Sequence, residues 1–266
     1  MAAAPASVAR RSFGFSGAGL LGVWHVGVWS RLAEETSSGL FCARRDRFIG
    51  SSAGSIVSAA IACELDIPSV LKSFEEINNV VGNRTWGVLD PRVDLLTHAE
   101  KLCYDMFPND AHERCSGRVT VCTAEFVSLP WQWMLVETSN WASKAELIES
   151  IMCSSYMPYL TSKRHRAAFD GGMVQNWPAF DDKTILCSPF RGHFHVSPPY
   201  DADESATVPW RILMHDRMVD ASLYNIVAGL QSMRYVRSPM DVYENGREAC
   251  DRFIASSLGL NESKDL

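Results

Sequence analysis

The chain has 266 residues, 47% of them hydrophobic and 21% charged, a composition that excludes whole-chain disorder, collagen and coiled coil. Twenty-five Lys and Arg against 31 Asp and Glu leave a net charge of −6, so no basic surplus exists for general nucleic-acid binding. The 8 cysteines form no C-x-x-C and several sit in apolar stretches such as Ile61-Ala62-Cys63; they read as reduced thiols, and the expected compartment is the cytoplasm.

Phe13 to Trp29, after Arg10-Arg11, has the length of a signal peptide, but glycines and His25 interrupt it and no small-residue cleavage site follows. Ser12 to Phe15 is predicted as a first strand, Ser16 to Gly19 as a tight loop and Leu20 to Glu35 as a helix. The pattern repeats: Arg47 to Ile49 as a strand, Gly50 to Gly54 as a turn, and Ser55 to Leu65 as a nearly uncharged helix that must be buried. Helices are expected over Ser69 to Val81 and Val93 to Met106.

Arg118 to Ala124 and Trp131 to Thr138 alternate with period two and read as paired strands, with Trp131, Trp133 and Leu135 on one face directed at the core. Ser143-Lys144-Ala145-Glu146 is a capping box that opens a helix to about Ser154, before Pro158. Short buried strands follow at Ala167 to Asp170 and Thr184 to Cys187, then helices over Ala221 to Met233 and Tyr243 to Ser257. Strands alternating with helices predict one α/β domain with a mostly parallel sheet over residues 12–258, between a flexible N-terminus (1–11) and a flexible tail (259–266).

Gly50-Ser51-Ser52-Ala53-Gly54 fits G-x-S-x-G where an apolar strand turns into a buried helix. Only Ser52 has glycine at both minus two and plus two, which makes it the candidate nucleophile; the alternative is a plain Gly/Ser-rich turn. Gly17-Ala18-Gly19-Leu20-Leu21-Gly22 fits G-x-G-x-x-G, but the next strand ends in the serine turn and not in a ribose-binding acid. Such a loop can instead present bare N–H groups to a developing oxyanion. Asp170-Gly171-Gly172 places a carboxylate at a strand end, although Asp-Gly alone is a common turn. An ordinary aspartate, with a pKa of about 3.9, serves as a base only in a partly desolvated site.

In this order, with Asn176 and Pro178 completing D-G-G-x-x-x-N-x-P, the motifs resemble the patatin-like phospholipase family. The similarity is greatest to its adipose triglyceride lipase-like branch, in Phe15 to Val23, in Cys153 to Pro158 and in Ser188 to Gly192. The resemblance implies a three-layer α/β/α sandwich and a Ser-Asp dyad that hydrolyses acyl esters of lipids without histidine, metal or organic cofactor. It puts the nucleophile on Ser52, the base on Asp170, and the oxyanion donors on the backbone of Gly17, Ala18 and Gly19, with the Ala53 N–H as a contributor. Gly22, Gly50, Gly54, Gly171 and Gly172 are the motif glycines. Leu20 and Leu21 stand where many patatins carry Arg or Lys, so no cation assists the oxyanion and a neutral lipid fits the loop as well as a phospholipid does. The partners so implied are a triacylglycerol or phospholipid ester and a membrane or lipid-droplet surface touched peripherally. A transacylase, or a lipid- or partner-binding protein without catalysis, is the competing reading.

His193, His195 and His215 follow the acid and offer a Ser…Asp…His order; a metal pair at His193 and His195 lacks a completing ligand nearby. The runs Arg44 to Arg47 and Lys163 to Arg166 precede the strands leading to Ser52 and Asp170, and read as solvated ends at the sheet edge opposite the site.

Overall fold

A computed structural model describes residues 10–35, 38–82, 84–128, 132–200 and 210–262. The N-terminal residues 1–9, the last four residues and Trp131 lie outside the described residues. The first half alternates as the sequence predicts: β1 (Ser12–Phe15), α1 (Gly22–Glu34), β2 (Arg47–Ser51), α2 (Ala53–Ala62), α3 (Ile67–Val81) and α4 (Leu95–Met106). A short α5 (Ala111–Cys115) precedes β3 (Val119–Ser128) and β4 (Gln132–Thr138). Then come α6 (Lys144–Ser154), β5 (Phe169–Asp170), β6 (Ile185–Cys187), β7 (Arg211–Met214), β8 (Arg217–Asp220), α7 (Leu223–Ser232) and α8 (Pro239–Glu262).

The fold is the expected α/β class with a mostly parallel central sheet. Strand order is β4-β3-β2-β1-β6, with β5 also paired to β3. The β1–β2, β1–β6 and β2–β3 pairs are parallel, whereas β4 and β5 run antiparallel to β3. Phe13, Phe15, Phe48, Val119 and Val121 project from one face of the sheet into an apolar cluster shared with α1, α2, α3, α4 and α6. On the other face Gly14 has no side chain because the Pro178 carbonyl lies where its Cβ would be, 2.3 Å away, and Ser51 Oγ donates to the Gln175 carbonyl at 2.9 Å. The segment after β5 thus lies against the sheet directly behind the residue before Ser52.

Local chemistry explains the element ends. Ser143 Oγ accepts the Glu146 N–H, the first half of the capping box, while Glu146 Oε2 reaches one residue further back and accepts the Ala142 N–H in place of that of Ser143. Asp66 and Asp94 cap α3 and α4 by accepting the N–H groups of Ser69 and Thr97. Helix α8 extends through Glu262, into the stretch expected to be a flexible tail, because the lone Gly259 is too weak a stop for a long helix already docked on α1. Trp24 Nε1 donates to Asn245, and Arg247 bonds Ser30 and Glu34, across that docking face. All eight cysteines are free and all but Cys42 are buried, as the composition implied.

The second basic run departs from expectation. Because β5 is antiparallel to β3, the chain enters it from the sheet edge where β2 ends, on the site's side and not the opposite one. Arg166 is no solvated end: its side chain is 2% exposed and ion-pairs with both Glu100 and Glu149. In the first run Arg45 pairs with fully buried Asp46, which also accepts the Cys42 and Arg11 N–H groups, so the run ties β2 to its lead-in.

Candidate active site

Strand register puts the two motif residues together. Ser51 pairs with Cys122 of β3, and the next β3 residue, Thr123, pairs with Asp170. Since β4 occupies the other edge of β3 at Thr123 and Ala124, β5 continues the line of β2 end to end, and Asp170 arrives where β2 turns out at Ser52.

Ser52 is the single residue between β2 and α2, with φ 53° and ψ −129°. That region strongly favours glycine and is strained for a side chain, by roughly 1–3 kcal/mol. The strain is held by specific bonds. The Ser52 N–H donates to Ser154 Oγ at 2.9 Å, and Ser154 Oγ donates in turn to the Cys122 carbonyl at 2.6 Å. The Ser52 carbonyl accepts both the Ser55 N–H at 2.9 Å and Ser55 Oγ at 2.6 Å. Gly54 is required by the crossing of β1 over this turn, since a Cβ there would lie 2.3 Å from the Phe15 carbonyl oxygen. The Gly50 Cβ position is filled by the Gly54 carbonyl, that of Gly22 by Phe74, and that of Gly171 by the Cys122 carbonyl.

Asp170 Oδ1 accepts the Gly172 N–H at 2.8 Å, and the neighbouring Ser52 hydroxyl favours the carboxylate as well. Burial pushes the carboxyl up to about 6 against these two influences. Trp133 packs edge-on to Phe169, ring centroids 5.0 Å apart, and Tyr156 stacks on the same ring, so the strand carrying Asp170 is clamped by aromatics. The inward reading of Trp133 therefore agrees with its packing.

Both residues open onto a cavity of about 290 Å³ whose wall is apolar, including Leu20, Ile56, Phe74, Ile77, Leu96 and Met173. Asp170 is the one ionisable side chain among the described residues lining it. The glycine loop Gly17, Ala18 and Gly19 lines the same cavity, as do Ala53, Gly172 and Asn176. The loop differs from expectation at Gly17, whose N–H donates to the Asn176 carbonyl at 3.1 Å; its peptide positions the loop and is not free to face a substrate. The N–H groups of Ala18, Gly19 and Ala53 make no hydrogen bond outside their own helical turns among the described residues, and Ala53 opens α2, where orphan N–H groups and the helix dipole favour negative charge. Asn176 Oδ1 lies where Cβ atoms on Gly17 and Gly172 would sit, so one amide braces both glycine segments.

Among the described residues no histidine lines the cavity. His193 and His195 are exposed, with the Leu186 N–H donating to His195 Nδ1, and His215 occupies the β7–β8 turn. Buried His25, which the sequence reading did not single out, donates from Nε2 to the Ser16 carbonyl at 3.0 Å and packs edge-on against Phe15 and Trp24. Burial drives its pKa down to about 4, so it is a neutral brace for the start of the glycine loop. Ser154 was missed as well, since nothing in Cys153-Ser154-Ser155 marks which hydroxyl meets the serine turn. Among the described residues no cluster of His, Cys, Asp and Glu could hold a metal ion, and no helix is long and apolar enough to cross a membrane.

A strand–serine–helix turn and a buried aspartate thus line one apolar cavity. Residues 15–182, more than half of the chain, match the profile described as Patatin-like phospholipase. The chain is 27% identical over 260 residues to the mouse (Mus musculus) protein named 1-acylglycerol-3-phosphate O-acyltransferase Pnpla3, covering 96% of this chain and 60% of that protein. It is 30% identical over 190 residues to human (Homo sapiens) Patatin-like phospholipase domain-containing protein 2, covering 69% and 36% respectively. The mouse protein of that same name is 29% identical over 264 residues, covering 95% and 51%. The chain belongs to the patatin-like phospholipase family, and it spans about half the length of the relatives it matches.

Proposed function

We propose that the protein is a serine lipid acyl hydrolase in which Ser52 and Asp170 form a two-residue catalytic unit. The observation that carries this reading is that Ser52, on its strained turn, and the buried Asp170 line one cavity in which no other ionisable side chain appears among the described residues. Ser52 Oγ attacks the ester carbonyl as its proton passes to Asp170, and the oxyanion is met by the N–H groups of Ala18, Gly19 and Ala53. Collapse breaks the ester C–O bond, and the leaving alkoxide takes the proton from Asp170. Water then adds to the acyl-enzyme, again giving its proton to Asp170, and the fatty acid leaves as Ser52 Oγ is reprotonated. A carboxyl near 6 suits this role at neutral pH, because it is ionised yet basic enough to accept the proton as the bond forms.

The apolar wall, with Leu20 in the loop and no cation near the oxyanion position, favours the acyl chain of a neutral glyceride or phospholipid ester over a water-soluble substrate. No chemistry in the scheme calls for a metal or organic cofactor. A second reading draws on the relative named an O-acyltransferase: a lipid hydroxyl replaces water as the acceptor from the same acyl-enzyme. Free cysteines throughout the chain fit a reducing cytoplasmic compartment, and contact with a membrane or lipid droplet would be peripheral.

The test is covalent labelling by a fluorophosphonate followed by peptide mapping. The label belongs on Ser52 and its rate should collapse in Asp170→Asn; a chain that resists the reagent while folded, or takes it elsewhere, is a binding protein and not this enzyme.

A further inference from the structure

Helix α7 is amphipathic in the inverted sense. Leu223, Ile226, Val227 and Leu230, spaced i, i+3, i+4 and i+7, are all exposed, from 43% to 74%. The opposite side is anchored by polar contacts: Asn225 bonds the Arg191 backbone on both N–H and carbonyl, Arg191 lies over the Tyr224 ring at 4.1 Å, and only Ala228 is buried. The ten residues carry no Asp, Glu, Lys, Arg or His. A solvated helix with this composition is unusual, and a contiguous exposed apolar stripe marks a binding surface.

The helix that carries the stripe ends at the cavity. Ser232 and Met233, at the end of α7, line the cavity, and the Val88 N–H donates to the Met233 carbonyl at 3.1 Å. Val88 also lines the cavity, while its neighbours Trp86 and Leu89 are 69% and 55% exposed. Met173 and Met157 repeat the arrangement, the first being both lining and 46% exposed, the second adjoining Tyr159, which is 75% exposed. Next in sequence to Trp86, Thr85 shares a recess with Arg84, Arg234 and Arg237 in which no acidic residue appears among the described residues; Arg84 pairs with Asp90, whereas Arg234 donates to the Thr85 carbonyl. Exposed large apolar side chains with a cluster of arginines on one flank match an interface of acyl chains beneath anionic headgroups.

We propose that α7 and the Trp86–Leu89 segment form the face on which this protein lies on an anionic lipid surface, with the cavity opening into the lipid. The proposal rests on the lipid-ester reading of the cavity only for its orientation, since binding itself needs no turnover. Net charge −6 makes a general attraction to anionic lipid impossible, so the interaction must be local to this face.

The experiment is flotation with vesicles of phosphatidylcholine alone and of phosphatidylcholine with phosphatidylserine, using the native chain and Ser52→Ala so that binding is read apart from hydrolysis. Both proteins should float with the mixed vesicles and several-fold less with phosphatidylcholine. Ile226→Glu with Leu230→Glu should weaken binding by about tenfold or more, from the loss of two inserted aliphatic side chains. Trp86→Glu, on a separate segment, should weaken it too, and Arg234→Ala with Arg237→Ala should remove the preference for phosphatidylserine. Unchanged melting temperatures establish that the variants are folded, as expected for exposed positions. Failure of the native chain to float with either vesicle overturns the proposal, as does native-like flotation of folded Ile226→Glu/Leu230→Glu. A native dimer that these substitutions convert to monomer also overturns it, assigning the face to a second copy. Loss of hydrolysis in Ser52→Ala with flotation intact separates the two claims.

Discussion

Asp170 arrives beside Ser52 at the joint where β2 and β5 meet end to end along β3, and the two line one cavity. The joint is desolvated, and the same burial that equips Asp170 as a base works against the folded state. Its carboxyl is raised from 3.8 to about 6, so its contribution to stability is full below about pH 4 and is lost as pH rises through 6. Asp170→Asn should therefore abolish activity and raise the melting temperature at pH 8, by the equivalent of about 3 kcal/mol or less, with the gain vanishing near pH 4. Calorimetry at the two pH values checks it.

The pH dependence of kcat/KM should show one acidic limb. Asp170 must be ionised to take the proton, so the rate falls about tenfold per unit below pH 6. His25, already neutral above about 4, adds no second limb near pH 6.5, and no other ionisable group among the described residues lines the cavity. A profile governed by a group titrating near 7 would point to a histidine base instead.

Ser154→Ala removes the hydroxyl that both receives the Ser52 N–H and donates to the Cys122 carbonyl. Two buried backbone groups lose a partner at once, and stability should fall by about 1–3 kcal/mol. Release of the strained turn should lower kcat more than it changes KM, since Ser154 does not line the cavity. Thermal melts and steady-state kinetics on one preparation read both effects.

Single substitutions of His193, His195 and His215 to Ala should leave hydrolysis near the native rate, because none of them lines the cavity. A triad histidine, by contrast, is worth a factor on the order of 10⁴ or more. Kinetics of the three variants decide between the two arrangements.

The candidate site was legible to the extent that its residues sit inside short motifs. G-x-S-x-G and D-G-G name Ser52 and Asp170 because a sharp turn at a strand end needs glycine, and β1 falls on Ser12–Phe15 because its apolar run is bounded by the loop glycines. What sequence could not convey was pairing. That β5 is a two-residue strand continuing β2 on the edge of β3 depends on contacts between distant segments, as do Ser154 under Ser52 and the Asn176 carbonyl on the Gly17 N–H. The β7–β8 hairpin was missed for a local reason. Its turn at His215-Asp216 holds His215 at φ 53° without the Asn-Gly or Asp-Gly that normally marks such a turn, and Arg211–Met214 is exposed throughout, so no alternation betrays it. Arg166 looked like one cation in a surface run, and only the fold brings Glu100 and Glu149 to it.

The most direct test of the Ser52–Asp170 unit is fatty-acid release from emulsified triacylglycerol and from phospholipid vesicles by the native chain, Ser52→Ala and Asp170→Asn, side by side. The native chain should release fatty acid from at least one of these lipids, and each variant, folded as judged by its melting curve, should lose activity by a factor on the order of a thousand or more. Release that persists near the native level in either folded variant would contradict the account.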